Sequence, residues 1–206
     1  MTGPRLSFRS LARQDFSLLS QWLSAPHVRK WWREDFDEAA VEQRYGPAVD
    51  GRDPTELFVI ERDGNSIGFI QRYLLEDNPE WQNSLAVAGS PNDGAGIDYV
   101  IGPETLIGQG LGPEIIDLFV EDTWTRYPKI TAVVVSVSQD NIRSWRALEK
   151  AGFHRLWSGA LVSDDPSDAD ASHVYVIDRP PPVGEMDEIR SPETNASIIS
   201  SAAGPD

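Results

Sequence analysis

A glycine-rich turn between a strand and a helix is the feature that most constrains the fold of this chain. The segment Ile107-Gly-Gln-Gly-Leu-Gly112 follows an apolar, strand-like run and precedes a helical pattern of apolar residues. Successive glycines let backbone N–H groups converge on an anion, and the positive end of the helix dipole adds to the attraction. The segment therefore predicts an anion-binding turn, although glycines also stand at such turns for close packing alone.

Two familiar nucleotide loops fit this turn poorly. A Walker loop ends in Gly-Lys-Ser/Thr, whereas Gly112 is followed by Pro113 and Glu114. A dinucleotide-binding fingerprint normally belongs to the first strand–helix–strand unit, whereas this turn lies past the middle of the chain. Pro113 suits the first turn of a helix, where a missing N–H group costs nothing.

The composition indicates an ordinary globular domain rather than a membrane or disulfide-rich protein. The 206 residues, 40% of them hydrophobic, are enough for one sizeable core. The absence of cysteine excludes disulfides, thiolate metal sites and cysteine nucleophiles, and the three histidines show no metal-ligand spacing. Because neither a membrane-spanning run nor a secretory signal is visible, we expect a cytoplasmic enzyme with no metal and no membrane partner.

The charge of the chain favours a cationic partner. A formal net charge of −15 opposes binding to nucleic acid and attracts cations. An acidic surface also serves solubility, so the charge alone leaves the partner open. After residue 180 the hydrophobic pattern is lost and prolines precede five acidic residues and one basic residue. We therefore expect a domain over residues 1–180 and a flexible acidic tail over residues 181–206.

Alternating strand-like and helix-like segments predict an α/β (α+β) domain. The predicted strands cover residues 5–9, 57–60, 67–73, 96–101, 130–137, 153–161 and 172–178. The predicted helices cover residues 16–23, 39–45, 115–124 and 142–148, the last of them capped by Asp140. Residues 76–96 carry Pro, Gly, Asn and Asp with little periodicity, so we expect a long loop there.

A second motif lies about 30 residues after the glycine turn, in Asn141-Ile-Arg-Ser-Trp-Arg-Ala-Leu-Glu-Lys-Ala-Gly-Phe153. Together the two segments resemble the GNAT acetyltransferases. The cofactor loop of that family reads Arg/Gln-x-x-Gly-x-Gly/Ala, and its following helix reads Asn-x-x-(Ala/Ser)-x-x-x-(Tyr/Leu)-Glu-Lys-x-Gly-Phe. The resemblance implies the GNAT fold, a central mixed, mostly antiparallel twisted sheet flanked by helices. It also implies acetyl-CoA as the co-substrate of an N-acetyltransferase.

The same resemblance implies which residues contact the co-substrate. Backbone N–H groups of the turn would hold the pyrophosphate of CoA, at Gln109, Gly110, Leu111 and Gly112. The edge of the preceding strand would pair with the pantetheine arm over Tyr99, Val100 and Ile101. Asn141 would hydrogen-bond that arm near the thioester. Since Ile107 stands where the family often carries Arg or Gln, the backbone rather than a side chain would hold the phosphates.

Three further segments are similar to aminoglycoside 6'-N-acetyltransferases. They are Trp22-Leu-Ser-Ala-Pro-His-Val-Arg-Lys-Trp-Trp32, Ile67-Gly-Phe-Ile-Gln-Arg-Tyr73 and Gly96-Ile-Asp98. An aminoglycoside is a polycation built of sugar rings, so its site needs carboxylates for the ammonium groups and aromatic walls for the rings. The candidate acceptor contacts are Trp31, Trp32, Glu76, Asp77, Glu80, Trp81 and Asp98. The acidic segment 164–170 is a further source of carboxylates.

Asp98 is the predicted catalytic residue, since it is a carboxylate on an otherwise apolar strand beside the cofactor loop. An amine must lose a proton before it attacks a thioester. Because a carboxylate of ordinary pKa is a weak base for an ammonium group, we expect Asp98 to position the amine and relay its proton.

The chain differs from the family motifs at two positions. Leu148 replaces a Tyr that many GNAT enzymes use to protonate the CoA thiolate, and Ser136 replaces an Asp of the aminoglycoside enzymes.

Three functions remain open at the level of sequence. The first is acetylation of the 6'-amine of aminoglycoside antibiotics, a resistance activity, by a monomer or homodimer. The second is acetylation of another amine, on a lysine, a siderophore precursor or a protein N-terminus. The third is a GNAT-like protein that binds acyl-CoA or an antibiotic without turnover. This alternative stays open because Leu148 cannot donate a proton.

Overall fold

The computed structural model describes residues 5–181, so the predicted acidic tail lies outside the described residues apart from its first position. Seven strands form one sheet: β1 Leu6–Ser10, β2 Glu56–Arg62, β3 Asn65–Leu74, β4 Ala95–Ile101, β5 Ala132–Ser138, β6 His154–Gly159 and β7 Ser172–Asp178. The helices are α1 Phe16–Ser24, α2 Pro26–Arg29, α3 Glu38–Val49, α4 Pro79–Leu85, α5 Leu111–Arg126 and α6 Ile142–Lys150. In the described part of the chain, no helix is long and apolar enough to cross a membrane.

The order of the strands confirms the predicted mixed, mostly antiparallel sheet. The strands lie in the order β1-β2-β3-β4-β5-β7-β6. Every neighbouring pair is antiparallel except β4 and β5, which run parallel. Parallel neighbours require a long crossover, and here α5 supplies it.

Helices cover both faces of the sheet and divide its core into two main layers. On one face, Phe119 of α5 and Leu148 of α6 are fully buried in the larger cluster. On the other face, Leu19 of α1 and Val41 of α3 are fully buried against β2 and β3. Burial of such side chains stabilises the fold by about 1.5–3 kcal/mol each.

The alternation of side chains along β4 sends its one carboxylate away from the larger core. Ile97 and Tyr99 belong to the α5–α6 face, whereas Val100 packs on the α1–α3 face. Because successive side chains of a strand point to opposite faces, Asp98 shares the α1–α3 face with Val100. Gln71 of β3 donates a hydrogen bond from Nε2 to Asp98 Oδ2 at 2.9 Å.

The two central strands diverge soon after they meet. Residues of β4 and β5 pair only at Ala95 with Val133 and at Gly96 with Val134. Strand β4 nevertheless continues to Ile101, while β5 remains paired with β7 to its end. The separation leaves an unpaired edge on each strand and opens the sheet between them.

The prediction of a long loop over residues 76–96 is wrong. That segment contains α4, the 3-10 turns Leu75–Asp77 and Ala86–Ala88, and the start of β4. Leu75 and Leu85 are buried in a third apolar cluster, which holds the segment against the sheet. Helix α4 has only seven residues, about two turns, so its apolar periodicity is too short to recognise in the sequence.

The prediction that Asp140 caps α6 is also wrong. The N-cap is Asn141, whose Oδ1 accepts a hydrogen bond from the backbone N–H of Ser144 at 3.3 Å. Asn and Asp are nearly equivalent as caps, so the choice between adjacent residues depends on how the chain leaves β5.

Candidate active site

A cleft of about 1340 Å³ opens where β4 and β5 diverge. Five parts of the chain line it: residues 31–57 around α3, β3 with α4, the separating ends of β4 and β5, the start of α6, and the connection from β6 to β7. The sheet thus forms the floor, and segments far apart in the sequence form the walls.

The cleft is strongly acidic. Eight carboxylates line it: Glu34, Asp53, Asp77, Glu80, Asp98, Asp164, Asp165 and Asp168. Among the described lining residues, Arg44 is the one basic side chain. Like charges gathered in a concave site focus the field and raise the local concentration of cations.

The three predicted tryptophans all reach the cleft. Trp32 packs edge-on against Phe69 of the core, with ring centroids 5.8 Å apart. Lys30 Nζ lies 4.3 Å from the ring centroid of Trp31. Trp81 of α4 packs against the third apolar cluster. Since each ring is partly buried and partly open, these side chains form fixed aromatic walls.

Asp98 lies at the point where the strands separate and has an unusual proton affinity. Burial raises its pKa to about 6, the carboxylates of Asp168 and Asp165 add to the rise, and the hydrogen bond from Gln71 opposes it. Asp98 is therefore a better proton acceptor than an ordinary carboxylate, yet it is ionised at neutral pH.

The glycine of the Gly96-Ile-Asp98 segment has a steric role. A Cβ atom on Gly96 would lie 2.3 Å from the ring of Tyr73. The absent side chain lets that ring lie over β4 beside Asp98. Burial, together with the charge of Asp98, raises the pKa of Tyr73 well above its ordinary value, so its hydroxyl stays protonated.

The unpaired edge of β4 offers its backbone groups at alternate residues. The N–H of Gly102 donates to Ile67 O of β3 at 3.0 Å. Because hydrogen-bonding direction alternates along a strand, Val100 also faces β3, whereas Tyr99 and Ile101 face the opening. His27 Nε2 lies 3.2 Å from Ile101 O at this edge. The predicted pantetheine contacts thus divide: Tyr99 and Ile101 reach the opening, and Val100 does not.

The side chain of Tyr99 adds a hydroxyl group where α6 begins. Its oxygen lies 2.8 Å from Ser144 Oγ, and burial raises the pKa of Tyr99 to about 12. Asn141 and Ser144 line the same end of the cleft. Leu148, one turn further along α6, is fully buried. A hydroxyl group on β4 thus contacts the first turn of the helix that carries Leu148.

Ser136 of β5 carries a hydrogen-bonding group with no partner among residues 5–181. Its Oγ is buried and makes no hydrogen bond within the described residues, and Ser136 lines the cleft. A buried hydroxyl without a partner costs about 1–3 kcal/mol.

The glycine turn lies outside the cleft lining, on the exposed surface before α5. Gly108 and Gly110 have φ angles of 81° and 84°, and a Cβ atom on either would meet open space. Gly112 has a different reason, since its Cβ would lie 3.2 Å from the Cβ of Ala147 on α6. Two glycines thus shape the turn, and the third permits close packing of α5 on α6.

The remaining turn residues are anchored on either side of Gly110. Gln109 donates from Nε2 to Thr105 O at 2.8 Å. Leu111 is buried in the larger core as the first residue of α5. The first N–H groups of a helix have no partner within the helix, so they remain free at this turn.

The cleft brings together most of the predicted contacts but not all of them. It includes Trp31, Trp32, Asp77, Glu80, Trp81, Asp98, Tyr99 and Asn141. Glu76 is exposed and absent from the lining, because the buried Leu75 anchors its 3-10 turn. Sequence reasoning missed Glu34 and Arg44, which no local pattern marks, and it gave Tyr73 no role although that residue ends the segment Ile67–Tyr73. The acidic segment 164–170 did signal Asp165 and Asp168.

Known proteins are similar to this chain in sequence and fold. It is 27% identical to an aminoglycoside N(6')-acetyltransferase type 1 of Klebsiella pneumoniae over 164 residues, 78% of each protein. It is 30% identical to a kanamycin resistance protein of Rhizobium radiobacter over 94 residues, 46% of this chain and 81% of that protein. The crystal structure of AAC(6')-Ib with coenzyme A and kanamycin superimposes with a TM-score of 0.71 and 25% identity, covering 85% of this chain and 95% of that one.

The family model described as the acetyltransferase (GNAT) domain matches residues 12–159. That match spans most of the chain, from the start of α1 to the end of β6. It therefore includes the glycine turn, the diverging strands and the helix that begins at Asn141. This chain belongs to the GNAT acetyltransferase family.

Proposed function

We propose that the protein transfers the acetyl group of acetyl-CoA to the 6'-amine of an aminoglycoside. The observation that carries the proposal is the cleft, where eight carboxylates face one guanidinium group beside three tryptophan walls. Ammonium groups on sugar rings match both the charge and the aromatic surfaces. The names of the relatives and the kanamycin in the similar crystal structure support this choice of acceptor.

The open strand edge and the glycine turn suit acetyl-CoA as the co-substrate. Backbone groups of Tyr99 and Ile101 face the opening between the strands, where the amides of a pantetheine arm find hydrogen-bonding partners. Gln109 and Gly110 lead into the exposed N-terminus of α5, which suits a pyrophosphate. In this arrangement the thioester meets the acceptor near Asp98.

Asp98 supplies the chemistry on the acceptor side. Its carboxylate attracts the ammonium group of the acceptor and takes up the proton that the amine must lose, directly or through a water molecule. The neutral nitrogen then attacks the thioester carbonyl carbon. As the C–N bond forms, the C–S bond breaks and its electron pair leaves on sulfur, and the nitrogen loses a second proton to become the amide nitrogen. A proton must finally reach that sulfur.

Tyr99 is the proton donor that the geometry favours for the departing thiolate. We expect Tyr99→Phe to lower kcat about 10- to 100-fold, because a positioned general acid is lost. The KM for acetyl-CoA should change little, since the backbone groups of residue 99 remain. Steady-state kinetics with varied acetyl-CoA separates the two parameters.

A second measurement on the same variant does not depend on turnover. Ultraviolet absorbance of the thiolate gives the pKa of the thiol of CoA bound to the protein. We expect that pKa to be higher in Tyr99→Phe, because the hydrogen bond that stabilises the thiolate is missing. Tyr127→Phe, which removes a hydroxyl just after α5 and outside the cleft, is the matched control. An unchanged thiol pKa and an unchanged kcat in Tyr99→Phe would assign the proton to water instead.

Release of CoA, measured with and without an acceptor, tests the proposed function. Release that depends on kanamycin, with a product acetylated at the 6'-nitrogen, supports it. Turnover on lysine derivatives or hydroxylamine-type siderophore precursors, with no response to aminoglycosides, replaces the acceptor by another amine. Tight binding of the drug or of CoA without release indicates a binding protein rather than an enzyme.

A further inference from the structure

Arg44 is a cationic side chain in a cleft that is lined mainly by carboxylates among its charged residues. Its Nε lies 2.5 Å from Glu34 Oε2, and its Nη2 donates to Asp165 Oδ2 at 2.9 Å. Glu34 belongs to the segment between α2 and α3, whereas Asp165 belongs to the connection from β6 to β7. The guanidinium group therefore bridges two segments that line the cleft and lie far apart in the sequence.

Each of the two carboxylates has a hydrogen-bond partner besides Arg44, and the guanidinium group lies 6.0 Å from the ring centroid of Tyr45. The Glu34 side chain is only 9% exposed, and its Oε1 accepts a hydrogen bond from the Tyr45 hydroxyl at 2.9 Å. Asp165 accepts a hydrogen bond from the backbone N–H of Ser167 through Oδ1 at 2.8 Å. The Arg44 side chain, in contrast, is 48% exposed. Because both carboxylates keep these hydrogen bonds, Arg44 is the charged group of the three that can be displaced while the other two stay in place.

The charge of Arg44 acts on the whole acidic group. Burial raises the pKa of Glu34, of Asp98 and of Asp168, and the positive charge of Arg44 opposes the rise in each case. Without a cation in the cleft, these carboxylates would take up protons more readily. A bound polycation supplies such positive charge itself. The ionised carboxylates therefore no longer depend on Arg44 once the acceptor is bound.

We propose that Arg44 holds the place of an acceptor ammonium group in the empty cleft, and that a second ammonium group of the acceptor displaces it from Glu34 and Asp165. This proposal rests on the proposed function, since it specifies the acceptor of the same site. Its consequence is a selection by charge. The acceptor must carry the reacting amine and at least one further ammonium group that takes over the carboxylates of Arg44.

Removal of the guanidinium should therefore favour polycations over monoamines. In Arg44→Met we expect the Kd for kanamycin to fall about tenfold, because the internal competitor for the carboxylates is gone. The Kd for 6-amino-6-deoxyglucose, which offers only the reacting amine, should change less than about threefold. Arg44→Lys keeps the charge and is the matched control, with both affinities close to those of the wild type. Isothermal titration calorimetry without acetyl-CoA gives all of these values.

The pH dependence supplies a readout that a purely structural role would not change. The groups that act on the charge of Asp98 are Gln71 of β3, Asp165 and Asp168 of the β6–β7 connection, and Arg44 of α3, and Asp98 in turn acts on Glu34 and Tyr73. With the monoamine, Arg44→Met should move the acid limb of kcat/KM to higher pH, because a cation that favours ionised Asp98 is lost. With kanamycin the shift should be smaller, since its second ammonium group replaces that charge.

Arg44→Met leaves the buried carboxylate of Glu34 without its cation, which destabilises the folded protein. The double variant Glu34→Gln/Arg44→Met avoids this problem. It removes the buried charge and still frees Asp165, so its preference for kanamycin over the monoamine should also rise. If the affinities for both acceptors fall by the same factor in both variants, the proposal is overturned. The role of Arg44 is then structural, in holding the segments of Glu34 and Asp165 together. If wild-type protein binds no aminoglycoside, the proposed function fails. If the wild-type protein acetylates kanamycin but the Arg44 variants have the same preference for kanamycin over the monoamine as the wild type, only the proposed role of Arg44 fails.

Discussion

Asp98→Asn is expected to lower kcat/KM for the amine acceptor about 100-fold or more, with little change in the affinity for acetyl-CoA. The amide keeps the shape of the side chain and its contact with Gln71, but it neither attracts the ammonium group nor accepts a proton. Because Asp98 lies on the α1–α3 face, opposite the core that supports α5, the turn that precedes α5 should be undisturbed. Steady-state kinetics with each substrate varied in turn checks both statements.

The pH profile of the wild type provides a further check on Asp98. Its pKa is raised to about 6, so kcat/KM should fall as the pH drops through that value and the carboxylate takes up its proton. Asp117→Asn removes an equal charge from an exposed position on α5 and should leave activity unchanged. Near-normal turnover in Asp98→Asn would remove this residue from the mechanism.

Gly110→Val is expected to raise the KM for acetyl-CoA by roughly tenfold or more, because a side chain there fills the space that the backbone leaves for phosphate. Gly110 has a φ of 84°, and the direction of its missing Cβ leads into open space at the N-terminus of α5. The KM for the amine should change little, since the turn lies outside the cleft lining. Initial rates at varied acetyl-CoA, and binding of CoA by calorimetry, measure the effect.

Gly64→Val is the matched control for the strain that Gly110→Val introduces. Gly64 lies in the β2–β3 hairpin with a φ of 77°, and its Cβ would also meet open space. A branched residue in this left-handed region costs at least about 1–2 kcal/mol, so both variants should unfold more easily. Only Gly110→Val should lose affinity for CoA. A loss of equal size in Gly64→Val would mean that general destabilisation, rather than a phosphate site, explains the result.

The sequence predicted the strands well because their patterns are local. Three successive valines are typical of a strand buried on both faces, and Val133, Val134 and Val135 of β5 are all buried. The segment around α4 escaped prediction because its helical pattern covers only seven residues and is held by distant apolar contacts. Local periodicity therefore succeeded where elements are long and failed where tertiary packing decides.

The candidate site divides in a similar way. Asp98, the glycine turn and the helix that begins at Asn141 were identified from motifs, because each motif is a short run of the chain. Arg44 carries no such signal. It meets Asp165 across 121 residues, and that contact exists only after α3 and the β6–β7 connection have folded against the sheet.

By itself, the sequence determined the fold class, the glycine turn before α5 and the carboxylate at Asp98, because residue spacing and backbone preference act over a few residues. Only the tertiary structure decided which carboxylates share one cleft and that Tyr99 supplies a hydroxyl near Leu148. It also decided that, among the described residues that line the cleft, a single arginine lies between the acidic groups. Those facts depend on distances between segments far apart in the chain, and such distances are set by packing rather than by sequence order.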